Sequence, residues 1–468
     1  MRSMLKFFFV TIKSMLFQAI SLFNKNFNIR FFAALGMILF PAVLSAQVEI
    51  FGLRTYANDD EYRPPIISQS EYITIEFDVT ISQPPNVQVI FKHASKDWKV
   101  DENLFVNDPA KIRSFTLNYS VAPNGVYHYS YHYKNAFPNK KDFVQFIYSG
   151  NYVYSIVNLD EEDKVLATGK FIVAEAQITT SMTVENKYHP EYDSPLNQMN
   201  FISVSFTIPE ENLGSNGAID QSNVRTVDII ENWDFEHRHR IDVDDNSAET
   251  FVENFYKVNK TFWKRDIPSG NEYRKLDLSS ISFYPNNKPV ILKNNPDVSR
   301  YQWQGKPDAN GASKLKPFTG ANSDYLEVEM RLRLADHPQK KIFLVGGFSD
   351  WLVLPGFEMK QDDVTQLFKM SIWLRRGVYD YQYVLGDIGS DGKVINQDWI
   401  TLEGNDWRTV NRYTALVYYH DRQFGGFDRV IGYVRGKSPG TSQSGKSSTS
   451  VYPPNSGNYF GPVFNEKK

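Results

Sequence analysis

The most explicit chemical pattern in the chain is Gly440-Thr-Ser-Gln-Ser-Gly445-Lys446-Ser447, which satisfies the phosphate-loop spacing letter for letter. That chemistry needs a buried strand leading into the loop and a helix leaving it, so that backbone amides converge on phosphate. Here the flanks are Ser, Pro and Gly, and the match reads as coincidence. Histidines come next. His237 and His239 alternate in Glu236-His-Arg-His-Arg240, so on a strand both face one side, as a metal pair does. Two ligands are too few for a closed site, and the neighbouring arginines repel a cation. His128 and His132 lie in a similar alternating run among tyrosines; for all four, a solvated or hydrogen-bonded imidazole is the better reading. The densest acids, Asp160-Glu161-Glu162-Asp163, sit between two strand-like runs and read as a solvated hairpin tip. No Gly-x-Ser-x-Gly elbow and no zinc-protease helix motif occurs outside the tail. These residues predict a protein that is not an enzyme, with no catalytic residue, no metal and no cofactor.

The elements that would position such side chains are strands. Apolar and polar residues alternate over Ile73–Val79, Val87–Phe91, Tyr152–Val157, Phe201–Ile208, Leu326–Leu334 and Tyr379–Leu385. Runs of this kind, bounded by Gly, Pro, Asn and Asp, are the signature of half-buried strands. Aromatics at 15% of the chain, 27 Tyr and 34 Phe among them, suit several small β cores. The predicted class is all-β, as tandem immunoglobulin-like or early-set sandwiches. The expected boundaries are a first sandwich at 47–175, a middle β domain with long loops at 176–320 and an early-set-like sandwich at 324–433. A Ser/Gly-rich tail at 434–468 holds too few aliphatic residues to offset its ordering entropy and is expected to be disordered.

Residues 1–46 predict export. They carry Arg2, Lys6, Lys13, Lys25 and Arg30 and no acid, then an apolar run Phe31–Leu44 that ends in Leu44-Ser45-Ala46. That is the order of a cleavable secretory signal. A start site nearer Met15 also fits. The chain has no cysteine, which excludes a lipid-modified anchor and disulfides. No later run is apolar for long enough to be a membrane helix. Removing residues 1–46 takes five basic side chains from the 51 and leaves all 54 acids, for a balance of about −8. Such a balance gives no electrostatic footprint for nucleic acid.

In the third module, Ile342-Phe-Leu-Val-Gly346-Gly-Phe-Ser-Asp350-Trp351, then Phe368–Trp373, then Arg376-Gly377-Val378-Tyr379-Asp380-Tyr381-Gln382-Tyr383, resembles the early-set sandwich of glycogen-binding modules. Such modules stack sugars on exposed tryptophans. The resemblance therefore opens one alternative, an extracytoplasmic glycan-binding protein, provided Trp351 and Trp373 lie exposed on one face. Packing is the safer reading for both. An enzyme of polysaccharide metabolism carrying this module would need a cleft with two converging carboxylates, which no spacing supports.

Several segments together resemble the plug protein of the type IX secretion system, a Bacteroidetes family. In the first module they are Phe91-Lys-His93-Ala-Ser-Lys-Asp97-Trp98 and Ser149-Gly150-Asn151-Tyr152. The second has Gly270-Asn271-Glu272-Tyr273-Arg274. The third has the early-set pattern, with Gly346, Trp351, Gly377, Tyr379 and Tyr381, and the closing stretches Tyr413–Tyr419 and Asp428-Arg429-Val430-Ile431-Gly432. The resemblance covers roughly 47–433, with Ala94 where the family favours cysteine and a tail without counterpart. It implies that these positions are structural. It also implies a non-catalytic periplasmic protein, held at the outer membrane by its partner, a giant barrel translocon whose pore it seals. No small-molecule ligand is expected, and the partner-binding residues are not legible.

Overall fold

A computed structural model describes residues 48–454, apart from 140, 189–197, 213–218, 256–258, 287, 293–295, 301 and 443. The export segment expected at 1–46 lies outside the described residues. Every regular element described is a strand or a short 3-10 turn. The protein is all-β, built as three two-sheet sandwiches.

In the first sandwich, one sheet runs Ile50–Ala57, Ile73–Val79, Tyr131–Phe137, Tyr119–Val121 and the other Ile66–Ser68, Lys164–Ala174, Gly150–Asn158, Val87–Ala94. Alternation sends Ile73, Ile75, Phe77 and Val79 inward to meet Val89, Phe91, Tyr154 and Phe171 of the opposite sheet. Aromatic rings do much of the filling. Phe91 meets Phe137 edge-on at 5.0 Å and Phe171 at 5.9 Å, and Tyr152 stacks on Phe171 at 5.1 Å. Ile73–Val79, read as half-buried, is buried on both faces. Its outward Thr74, Glu76 and Asp78 are covered by protein, for a reason given below.

In the second sandwich, one sheet runs Thr250–Phe255, Asn259–Ile267, Gln198–Thr207, Thr179–Tyr188, Lys446–Val451, and its partner runs Asp234–Asp242, Thr226–Glu231, Arg412–Asp421, Phe427–Lys437. Val204, Phe206 and Phe262 pack across onto Ile229, Val417 and Ile431. The third sandwich pairs Arg274–Asp277, Ser313–Leu315, Lys341–Gly346 and Val394–Asp398 with the long central strand Gly377–Ile388. Opposite lie Val290–Ile291, Asp297–Val298, Tyr325–Arg333, Phe368–Arg375 and Lys360–Gln361. Val328 and Ile372 fill the gap to Leu344 and Tyr383.

The modules are therefore interleaved, which differs from the expected succession of 176–320, 324–433 and tail. The whole third sandwich is inserted between Asn259–Ile267 and Arg412–Asp421 of the second. Tyr413–Tyr419 and Asp428–Gly432, assigned to the third module on sequence, form half of one sheet of the second. Period-2 alternation marks a strand but not its partner, so it does not reveal a return to an earlier module. The tail also contributes. Lys446–Val451 adds to Thr179–Tyr188 in register from Lys446–Glu185 to Val451–Thr180. It is held by the main-chain ladder, by hydroxyl pairs Ser181–Ser450 at 2.8 Å and Thr183–Ser448 at 3.0 Å, and by Lys446 on Glu185 at 2.9 Å. Hydrogen bonding supplies what aliphatic burial lacks. Lys446 and Ser447 thus belong to a strand, not to the helix a phosphate loop requires.

Candidate functional site

The motif positions concentrate where one sandwich meets another. Between the first and second, the outer faces pack Ile66, Ile172 and Ala174 against Ile230, Leu416, Tyr418 and Val430. A polar joint closes the edge. Asp228, fully buried, accepts Arg238 Nε at 2.8 Å and Arg240 Nε at 2.7 Å. Both guanidiniums reach across to the Lys96 carbonyl, and Arg240 also pairs with Asp97. The turn ends at Trp98, in left-handed conformation with Lys170 over its ring at 5.1 Å. The Lys96 amide donates to Asp428 at 3.0 Å, and Tyr418 Oη donates to Asn151 at 2.8 Å. His93 is buried, with Nδ1 2.5 Å from Asp101 and Nε2 3.0 Å from the Ser149 carbonyl. Arg429 bridges Glu175 at 2.7 Å and Asp421 at 3.0 Å. Gly432 lets Ile178 and Thr180 lie directly on its backbone. Charged partners hydrogen-bonded this way are stronger than neutral ones and fix register.

Asn271, in the link from the second to the third sandwich, donates to the Gln302 and Glu403 carbonyls, each at 3.0 Å. Glu403, buried, takes Arg274 at 3.0 Å, Arg300 at 2.7 Å and the Tyr383 amide at 2.8 Å. The hydroxyls of Tyr381 and Tyr383 both donate to Asp297, at 2.7 and 2.8 Å. Tyr273 packs on Trp351 with ring centres 4.3 Å apart and accepts Asn232 Nδ2 at 3.1 Å. At Gly346 and Gly377 a Cβ would stand 2.6 Å from the Asp380 carbonyl and 2.5 Å from the Lys314 carbonyl. Tyr379 Oη donates to the Arg375 carbonyl at 2.5 Å. Trp351 is 2% exposed, with Nε1 on the Gly311 carbonyl at 2.9 Å, whereas Trp373 is 53% exposed beside His128. The two tryptophans share no open face, so together they make no sugar-stacking platform.

A third joint, between the first and third sandwiches, was not legible. Arg375 is buried against Asp78 at 3.3 Å and Glu76 at 3.4 Å. Asp78 also accepts Tyr325 Oη at 2.8 Å and lies 2.7 Å from His132 Nδ1. The Tyr127 and His128 amides donate to Asp324, both at 3.2 Å. The available signal was Glu76 and Asp78 in a strand otherwise rich in Ile and Phe, which reads equally as a solvent face.

His237 and His239 do face one side, into a cleft of about 410 Å³ between the second and third sandwiches. Each has a carboxylate of its own, His237 Nδ1 on Asp234 at 2.8 Å and His239 Nε2 near Glu231 at 3.5 Å. Among the described residues no three His, Cys, Asp or Glu side chains group as a metal site. Asp160–Asp163 form an exposed turn, with Glu162 and Asp163 left-handed.

Two buried acids, Glu272 in the link and Asp380 in the third sandwich, set a pH dependence. Burial, with Asp308 nearby, pushes the Glu272 and Asp380 carboxyls each up to about 7. Between the ordinary carboxylate range and about 7 the folded state holds protons that the unfolded chain has released, so these groups cost stability as pH rises. Chemical unfolding is expected to show stability falling from about pH 4.5 to 7, with a shallower slope in Glu272→Gln. An unchanged slope in that variant counts against the assignment.

Residues 50–175 match the family model described as the type 9 secretion system plug protein first domain. No curated protein matches the chain. A hypothetical protein from Parabacteroides merdae ATCC 43184, known from a crystal structure at 2.30 Å resolution, is similar in fold. Its TM-score is 0.67 at 20% identity, and the match covers 83% of this chain and 97% of that one. The matched segment is the first sandwich itself, the module that carries His93, Asp97, Trp98 and Gly150 to its joints with the rest. Residues 50–175 of the chain thus form a type 9 secretion system plug protein first domain.

Proposed function

We propose that the chain is a periplasmic plug that binds the giant outer-membrane translocon of the type IX secretion system and seals its pore, without catalysis or cofactor. The family match supports a type IX secretion-related, non-catalytic role, and nothing in the joints or clefts points positively to catalysis. The observation that carries the sealing role is the joining of the three sandwiches, first to second by Arg240 on Asp97, first to third by Arg375 on Asp78, and second to third by Trp233 packed against Phe343, Val345 and Trp351. A stopper must present a large surface already in shape, because ordering it on contact subtracts from affinity. No helix among the described residues is long and apolar enough to cross a membrane. Attachment to the outer membrane is accordingly proposed to run through the partner.

Affinity capture of the tagged chain from detergent-solubilised envelopes is expected to recover a very large outer-membrane barrel. Capture of no barrel, together with retention on a glucan column, defeats the plug reading.

A further inference from the structure

The cleft of about 410 Å³ between the second and third sandwiches is lined by three carboxylates, Glu231, Asp234 and Asp398, and by neither Lys nor Arg. Two of the three are spent on their own turns. Asp234 accepts the Glu236 amide at 3.1 Å and the His237 amide at 2.9 Å, with His237 Nδ1 upon it. Asp398 accepts the Ile400 amide at 3.0 Å, the Thr401 amide at 2.9 Å and the Thr401 hydroxyl at 2.6 Å. Glu231 is different. It accepts from no backbone amide among the described residues; His239 Nε2 stands off at 3.5 Å, and the carboxylate stays open to the cleft it lines.

Gln382 is the second, independent observation. Alternation along Gly377–Ile388 sends Tyr381 and Tyr383 into the core of the third sandwich and Gln382 to the opposite face, which bears Val345, Val384 and Trp351. Gln382 is 8% exposed, yet neither its side-chain oxygen nor its nitrogen has a hydrogen-bond partner among the described residues. Both atoms keep contact with solvent, and the space they meet is the cleft that Gln382 lines. Buried amides without partners are rare in native proteins. Trp399 closes one side, with its indole nitrogen already on Gln397 Oε1 at 3.2 Å, so it gives the cleft ring surface.

We propose that this cleft binds a small organic cation, an ammonium or guanidinium on an aliphatic stem. The cationic head donates to the Glu231 carboxylate and the Gln382 carboxamide oxygen, and the stem lies on the Trp399 ring. The open atoms select this class. A carboxylate and an amide oxygen ask for donors, and a cleft lined by one sign of charge concentrates the opposite sign. An anion finds no Lys or Arg to meet it. A neutral sugar meets the same atoms but gains nothing from the charge. Because the walls come from two modules, a ligand here favours the state in which the second and third sandwiches stay together. The inference is independent of the translocon reading.

Titration calorimetry and thermal melting of the full chain without residues 1–46 test it with four probes: agmatine, putrescine, D-glucose and glutarate. Agmatine or putrescine is expected to bind and raise the melting temperature, with glucose and glutarate at least about tenfold weaker. Which of the two binds more tightly separates guanidinium from ammonium. Burial raises the Glu231 carboxyl against the pull of His239, and Asp234, His237, Tyr273 and Tyr413 also face the carboxyl or its cleft. Acid that protonates Glu231 and the two imidazoles opposes a cation at each step, so binding is expected to weaken as pH falls. Glu231→Gln is expected to weaken binding at least about tenfold, with the difference shrinking at high salt. Gln382→Leu removes both open polar atoms at similar size. It is expected to weaken binding about fivefold without lowering the melting temperature of the free protein, because neither atom is bonded. If Glu231→Gln does not fold, Gln382→Leu decides the matter. The proposal is overturned if neither cation binds, if glucose or glutarate binds as well as the cations, or if binding ignores both variants.

Discussion

Asp78→Ala is expected to lower the stability of the protein by about 3–5 kcal/mol, the range for removing one partner of a buried ion pair. Asp78 lies in the first sandwich, and its partners Arg375 and Tyr325 lie in the third. Truncation leaves the Arg375 guanidinium, 4% exposed in its side chain, with Glu76 at 3.4 Å as its remaining carboxylate beside the Ser323 carbonyl. Tyr325 Oη loses its acceptor at the same time, and desolvated groups left unpaired dominate such losses. The effect extends past stability, since this joint ties the first sandwich to the third. Denaturant unfolding checks the loss. Limited proteolysis is expected to find new cuts in the 318–324 connection, which packs beside Arg375. A change below about 1 kcal/mol would mean that the joint is solvated and carries little.

Gly150→Ala acts at the other joint of the first sandwich, and the expected loss is about 2–4 kcal/mol. Gly150 has φ +137°, a conformation that L side chains rarely adopt. A Cβ there would overlap the His93 ring and stand 2.7 Å from the Asp428 carbonyl. His93 cannot retreat without giving up Asp101 and the Ser149 carbonyl, and Asp428 belongs to the second sandwich. Strain and loss of contact therefore add. The check is calorimetric melting of the variant beside Gly125→Ala, where φ is +90° but the nearest neighbour, Ala321 Cβ, is 3.4 Å away. Strain alone predicts similar losses in the two; the joint predicts a clearly larger loss at Gly150.

The local pattern was easy to read and the pairing was not. Ile73–Val79, Tyr152–Val157 and Phe201–Ile208 alternate so strictly that their strands follow from side-chain geometry alone. Glu76 and Asp78 show what alternation hides: an acid facing water and an acid facing an arginine of a distant module occupy the same position in the pattern. Residues 412–437 show the second limit, because a strand's neighbours depend on contacts across almost two hundred residues, as in Val227 opposite Val417. The tail shows a third. Lys446–Val451 has too little aliphatic content to predict order, yet an available sheet edge and three well-placed hydroxyl or charge pairs hold it. His237 and His239 were correctly placed on one side of a strand, but their carboxylate partners differ: Asp234 starts the same strand, and Glu231 lies across the turn before it. The open polar groups of the cleft leave no trace in sequence, since Glu231 and Gln382 are brought to it by folding.

Insertion of the third sandwich also sets how the protein carries mechanical load. Tension applied at residues 176 and 454 enters the second sandwich through Thr179–Tyr188 on one side and Lys446–Val451 on the other, strands that lie side by side. The third sandwich, spliced in at 267 and 412, hangs between strands of the second and feels no pull until that sheet parts. Extension by force is therefore expected to proceed in order: release of the last strand, rupture of the second module, and only then of the third. A body loaded in this way yields first at its polar terminal strand, leaving the third sandwich as the most shielded part of the molecule.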